Sequence, residues 1–236
     1  MADAAVRADA GGAEAPRFAE RPTNFLVEDA YALAGPPAVL AVVAAWLGWG
    51  WLAWTLALAA IAVAAFFRNP SRTLPPGEDR VVAPADGRVI HVGETRDEEG
   101  APQLQIGIFL SVFDVHVNRM PLSGRVLAIE RGGTDYRAAF RGDAADRNVY
   151  CRIRFETREG FRVSVTQITG WIARRIVCHP RLGEWVARGE RYGLIRFGSR
   201  TDVTLPLGSR VRVARGDRVR GGVSILADLP EPGAAS

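Results

Sequence analysis

Two hydrophobic patterns divide the chain. From Ala38 to Phe67 run 30 residues without a charge, AVLAVVAAWLGWGWLAWTLALAAIAVAAFF. About 20 apolar residues cross a bilayer, so this run is long for one pass and too hydrophobic for a domain of this size to bury. Gly48-Trp49-Gly50-Trp51 stands at its middle. A single tilted span would place helix-weakening glycines and interface-seeking tryptophans at the bilayer centre. Two short helices folded as a shallow hairpin, with the tryptophans at the turn, suit the pattern better. Each half would have about 15 residues, too few to cross fully. The pattern predicts a re-entrant or interfacial hairpin, with one tilted span as the other reading.

Beyond Arg68 the period changes to two. Val149, Cys151, Ile153 and Phe155 fall on one face of a strand, and Tyr150, Arg152, Arg154 and Glu156 on the other. Phe161, Val163 and Val165 alternate likewise, as do Val211 and Val213. The runs 80–92, 103–110, 124–130 and 193–197 are also strand-like, with Gly, Pro and Asp between them. No long amphipathic helix and no fixed-period repeat is evident. The fold class expected is mainly β (α+β), an antiparallel sandwich-like domain preceded by a helical hairpin. Arg68-Asn69-Pro70-Ser71-Arg72 and Pro75-Pro76-Gly77 mark the junction. Residues 1–23, rich in Ala, Gly and acids, read as a disordered tail without the features of a secretory signal. The expected divisions are therefore 1–23, 24–67 and 68–236.

Charge sharpens this picture. Residues 1–35 carry three Arg against six acids, and residues 68–236 carry 27 Arg against 20 acids, so the β part is more basic than the whole-chain +4. A basic unit beside an apolar run points to a membrane surface rather than nucleic acid, for which no aromatic-basic motif is present. All 30 basic residues are arginine. Without lysine the chain cannot form a pyridoxal phosphate Schiff base or carry biotin or lipoate. Two cysteines exclude a disulfide framework and a thiolate zinc cluster, and favour a reducing compartment.

The chemistry-bearing residues are few. His91 lies within a strand and reads as structural. His179 sits before Pro180 in a turn; a metal site with Cys178 would lack further ligands. His116 lies in a polar cluster, Ser111 to Pro121, and is as readily structural as catalytic. Asp86, in Ala83-Pro84-Ala85-Asp86-Gly87, reads first as a tight turn, and so does Gly198-Ser199. Arg174-Arg175 could be a solvated pair, an anion clamp or part of a membrane-facing surface.

Their order carries more than any one of them. The apolar run and Arg68-Asn69-Pro70 are followed by Ala83-Pro84-Ala85-Asp86-Gly87, then by Phe113-Asp114-Val115-His116-Val117-Asn118-Arg119-Met120-Pro121. Gly170-Trp171-Ile172-Ala173-Arg174-Arg175-Ile176 comes next. Phe197-Gly198-Ser199-Arg200, with Asp202 and Leu205-Pro206, ends the series. Over residues 24–230 this resembles the short, prokaryotic type of phosphatidylserine decarboxylase proenzyme. The resemblance implies autocatalytic cleavage between Gly198 and Ser199, giving chains 1–198 and 199–236 that stay together as a heterodimer. Ser199 would become a covalent pyruvoyl group, an electron sink that needs neither lysine nor metal. It also implies His116 as the base, Asp86 as its orienting acid, phosphatidylserine as substrate, and residence at the cytoplasmic face of the cell membrane. Longer members of the family have a second histidine where Arg119 stands, so His116 would serve both reactions or share them with a group such as His179. Two rivals are a pyruvoyl decarboxylase of a soluble amino acid, which leaves the apolar run unexplained, and a membrane-tethered β-domain that only binds.

Overall fold

The charge-free run folds back on itself. In a computed structural model of the chain, helix α1 (Glu28–Trp46) and helix α2 (Gly50–Phe66) pack together across the turn Leu47–Trp49. Gly48 turns the chain with φ of 78°, in the left-handed region where a side chain would be strained. α1 begins ten residues ahead of the charge-free run and takes Pro36 and Pro37 into the helix, so the halves are 19 and 17 residues rather than equal pieces of the run. Among the described residues no helix is both long and apolar enough to cross a membrane. The structure describes residues 26–97, 100–137, 139, 147–171, 175–195 and 198–231; the tail expected at 1–23, Arg174 and Phe197 lie outside them.

The base of the hairpin is a packed joint. Val27, Ala30, Phe66 and Phe67 cluster with Val115, Val117 and Leu194 of the β part. Residues 68–79 then lie along the β part, fastened by two arginines. Arg119 donates to Asn69 Oδ1 (2.8 Å), Pro70 O (3.0 Å) and Gly189 O (3.0 Å). Arg188 donates to Pro75 O (2.8 Å), Arg80 O (3.1 Å) and Gly77 O. A guanidinium presents several donors in a fixed fork, which suits several main-chain carbonyls converging on one side chain.

Among the described residues fourteen strands follow: β1 (Arg80–Val82), β2 (Gly87–Arg96), β3 (Pro102–Leu110), β4 (Val117–Arg119), β5 (Gly124–Gly132), β6 (Tyr150–Glu156), β7 (Arg162–Ile168), β8 (Ile176–Cys178), β9 (Trp185–Val186), β10 (Arg191–Ile195), β11 (Ser199–Pro206), β12 (Arg210–Val211), β13 (Arg218–Val219) and β14 (Ile225–Asp228). They form one eight-stranded antiparallel sheet, β13-β2-β3-β11-β7-β6-β5-β9, and two three-stranded sheets, β1-β14-β12 and β4-β10-β8. The layers are thus unequal rather than the matched pair of a simple sandwich. The core contains Ile106, Ile108, Ile153, Phe155, Val165 and Val203 of the large sheet together with Val81, Leu226 and Tyr192 of the small ones. Cys151, Ile153 and Phe155 are buried, as the alternation in β6 requires, while Arg154 on the other face is exposed.

Two strand expectations change. The run 80–92 breaks at residues 83–86, and its halves join different sheets. Ser199 does not lie within a turn. It opens β11, a central strand flanked by β3 and β7, with Ser199 opposite Leu110 and Arg200 opposite Ile168. Flanking residues 205–206 resemble a strand end, and Gly198 hid the strand start behind a turn signal.

Candidate active site

Ser199 is fully buried, and its Oγ has no hydrogen-bond partner among the described residues. A buried hydroxyl left unpaired costs about 1–3 kcal/mol, so such an atom calls for an account. The residue before it supplies part of one. Gly198 has φ of 57°, a left-handed conformation with open space where a Cβ would lie, so the backbone angle alone selects glycine. Its carbonyl oxygen lies against Gly170, where any Cβ would overlap it. Gly170 is in turn held by Thr169, whose carbonyl accepts from buried Asn148 Nδ2 at 2.8 Å and whose Oγ1 donates to Val149 O at 3.0 Å. Two glycines therefore fit the peptide 198–199 into a tight place beside a free hydroxyl.

His116 is also fully buried, and since neither its Nε2 nor the Ser199 Oγ has a hydrogen-bond partner, the two are not hydrogen-bonded to each other. Its Nδ1 lies 2.9 Å from the carbonyl oxygen of Asp114, which can only accept. Nδ1 therefore carries the hydrogen, and Nε2, buried and unpartnered, keeps its lone pair. Burial lowers the His116 pKa from 6.5 to about 4, against the opposing pull of the Asp114 carbonyl, so the ring is a neutral base at pH 7. Phe66 packs on the ring with centroids 4.0 Å apart, so the last turn of α2 forms part of the wall that desolvates it. The His116 carbonyl accepts from Ile195 N–H at 3.5 Å, at the end of β10 from which the chain runs on to Ser199.

Asp86 stands elsewhere in this network. It lies in the turn between β1 and β2, where Oδ2 accepts from Arg72 at 2.8 Å and Oδ1 from the Gly221 N–H at 2.7 Å. Gly87 after it packs against the Phe109 carbonyl too closely for a Cβ, a stronger reason for glycine than the turn itself. The structure joins Asp86 to the linker and to residue 221. The group on His116 Nδ1 is a main-chain carbonyl. Arg119, at the place of the second histidine, is the linker clamp described above. The main-chain N–H of His179 donates to Tyr192 O at 2.9 Å, and the Cys178 thiol meets that of Cys151; among the described residues no group of three or more His, Cys, Asp or Glu could hold a metal ion. His91 lines the opposite face of the large sheet with Arg152, Arg200 and Asp202, around a cavity of about 770 Å³.

Sequence reasoning missed Asp114 O, Phe66, Gly170 and Asn148. A main-chain carbonyl leaves no mark in sequence, and Phe66 looked like the end of an apolar run. Gly170 did stand in a quoted motif, and a glycine between a strand and Trp171 was the available signal.

The phosphatidylserine decarboxylase family model matches residues 59–227, which hold every one of these groups. The chain is 42% identical over 200 residues to a phosphatidylserine decarboxylase proenzyme of Zymomonas mobilis, covering 81% of each chain. It is 44% identical over 203 residues to that of Geotalea uraniireducens (81% of this chain, 90% of that one) and 38% identical over 211 residues to that of Burkholderia pseudomallei (89% and 98%). With a buried serine hydroxyl, a neutral buried histidine and a glycine-fitted carbonyl inside the matched region, the chain belongs to the phosphatidylserine decarboxylase family of enzymes.

Proposed function

We propose that this protein matures by cutting itself between Gly198 and Ser199 and then converts phosphatidylserine to phosphatidylethanolamine and carbon dioxide at a membrane surface. The observation that carries the reading is the orphaned, buried Ser199 Oγ directly after a left-handed glycine whose carbonyl is fitted against Gly170. In the first step Ser199 Oγ attacks the Gly198 carbonyl carbon while His116 Nε2 accepts the hydroxyl proton. The Gly198–Ser199 C–N bond breaks as the C–O bond forms, and the proton passes to the freed amine, leaving an ester. Loss of the Ser199 Cα proton then breaks the Cβ–O bond. Chain 1–198 leaves as a carboxylate, and residue 199 becomes dehydroalanine. One water converts this, with loss of ammonia, to a pyruvoyl group.

The pyruvoyl carbonyl supplies the electron sink for decarboxylation of the substrate's amino acid headgroup. The surroundings of Ser199 fit such a group, because a small carbonyl-bearing residue can occupy the place of the serine without a new partner for a lost hydroxyl. His116 serves the second reaction as the group that holds or returns a proton at Nε2. Asp86 acts as a positioning residue: through Arg72 it fixes the start of the linker, and with it the hairpin base that walls His116. The hairpin keeps the protein at the bilayer interface, where its lipid substrate resides.

The test is to purify the protein, present phosphatidylserine labelled in the headgroup carboxyl, and follow labelled carbon dioxide and phosphatidylethanolamine. Equal release of both from the cut protein, and none from Ser199→Ala, is the expected result. Release from the uncut Ser199→Ala chain would refute the reading.

A further inference from the structure

Three strand ends meet around the cleavage site. Ser199 pairs with Leu110, the last residue of β3, and Arg200 pairs with Ile168, the last residue of β7. The turn 111–114 therefore leaves the sheet on one side of Ser199, and 169–171 on the other. Both carry large apolar side chains into solvent. Phe113 is 84% exposed and Val112 42%, while Trp171 is 75% exposed. Elsewhere in the same turn the structure is orderly: the Asp114 carboxylate caps Ser111 through its N–H (2.8 Å) and Oγ (2.7 Å). The exposure of Phe113 is thus built by a closed turn.

The hairpin is fixed to this same end. Arg68, one residue past its base, donates to the Phe113 carbonyl at 2.6 Å, and Phe66 lies on His116. Basic residues surround the apolar ones. Arg88 and Arg175 are exposed, and Arg218, 72% exposed, lies 3.7 Å from Asp114. Aromatic side chains beside exposed guanidinium groups suit the headgroup region of a bilayer carrying anionic lipid, where rings enter the acyl boundary and cations stay among phosphates. Apolar groups divided between two separate loops on either side of a reaction site would make a poor protein–protein core, which needs one contiguous patch.

We infer that Val112–Phe113 and Trp171 form a second lipid-contacting edge, distinct from the hairpin, that seats the Ser199 end of the sheet on the bilayer. It rests on the reading of Ser199 as the site of a lipid-directed reaction. A headgroup would then reach the site directly from the interface, with its acyl chains left in the membrane. The hairpin base holds this end of the β part toward the membrane, and the edge would bring the Ser199 region itself onto lipid.

The experiment uses the full chain and the variant Phe113→Ser/Trp171→Ser. Both proteins are checked for cleavage on a denaturing gel. They are then compared for sedimentation with phosphatidylcholine vesicles containing phosphatidylglycerol, and for turnover of short-chain monomeric against vesicle-borne phosphatidylserine. The variant should be cut like the parent and match it on monomeric substrate, but bind vesicles about tenfold less tightly and lose a similar factor on vesicle-borne substrate. Unchanged vesicle binding would overturn the inference. Equal loss on monomeric and vesicle-borne substrate would overturn it too, by placing these residues in the substrate pocket. So would a change in sedimentation velocity without loss of vesicle binding, which would mark an interface between proteins. The vesicle arm needs no catalysis: if the parent turns over neither substrate, the functional reading fails while the lipid edge is still decided by sedimentation.

Discussion

At residue 199 two facts that would each be ordinary become informative together. A buried serine without a partner is a local cost, and a left-handed glycine before it is a local accommodation. Their junction is the bond proposed to break. Ser199→Ala should leave the chain whole, because no hydroxyl remains to attack. Gly170→Ala is the sharper change, since its new methyl would overlap the Gly198 carbonyl. It should slow cleavage at least a hundredfold, read as the time course of the small chain on a gel, while a native circular dichroism spectrum shows that the fold survives. Normal cleavage in Gly170→Ala would remove the fitted carbonyl from the account. His116 sets the pH dependence. Its folded pKa, about 4, is below the ordinary 6.5, so the neutral base persists well into acid. Cleavage should stay level from pH 8 to about 5.5 and reach half its rate near 4; a midpoint near 6.5 would contradict this burial effect. Linkage has the matching sign. An unfolded chain binds a proton at His116 below about 6.5 and the folded chain does not until about 4, so this group's contribution to stability falls as pH drops through that window. Urea midpoints of the parent should therefore decline more steeply between pH 6.5 and 4 than those of His116→Asn. Ser199, His116 and Asp86 can be singled out as candidates from their order in sequence, but their surroundings cannot. The Asp114 carbonyl on His116 and Arg72 on Asp86 are consequences of tertiary packing that no residue type announces.

Among the elements, the hairpin was the most legible, because a charge-free run interrupted by Gly48 and Gly50 has few ways to fold. Its register was not. Helix α1 continues upstream through Pro36 and Pro37 although a proline in a helix interior costs about 3 kcal/mol, and its first turn packs through Ala30 on Phe66 and Phe67. The tryptophans at the turn are exposed, Trp46 at 85% and Trp51 at 76%. Replacing Trp46, Trp49, Trp51 and Trp54 by Ser should reduce sedimentation with vesicles severalfold and leave self-cleavage intact. Removing the whole hairpin is a poorer test, because Phe66 and Phe67 belong to the packing around His116. Strand β11 was the least legible element, since Gly198 and Ser199 read as a turn while the central position of the strand depends on β3 and β7. The linker is a third case. Its prolines mark a junction in sequence, but not that Arg119 and Arg188 fasten its oxygens. Arg119→Ala should lower stability by about 2–3 kcal/mol, measured by urea unfolding, because three charge-assisted hydrogen bonds are lost and three acceptors are left. A change under half a kilocalorie would show the clamp to be incidental.

On the scale of the whole molecule, a large antiparallel sheet presents one end to the hairpin base, and every group proposed to act lies at or near that end. The sheet's opposite face, with its arginine-lined cavity, lies on the side of β11 away from the buried core. The absence of lysine fits this arrangement: a decarboxylase of an amino acid headgroup without pyridoxal phosphate needs an electron sink from its own chain. The central claim is that the Gly198–Ser199 bond is spent in making that sink. Intact mass spectrometry of the purified active protein tests it most directly. The account predicts two polypeptides, residues 1–198 ending in a free carboxylate and residues 199–236 beginning with a pyruvoyl group that blocks Edman degradation. An active preparation consisting of the single 236-residue chain, with Ser199 unmodified, would contradict it.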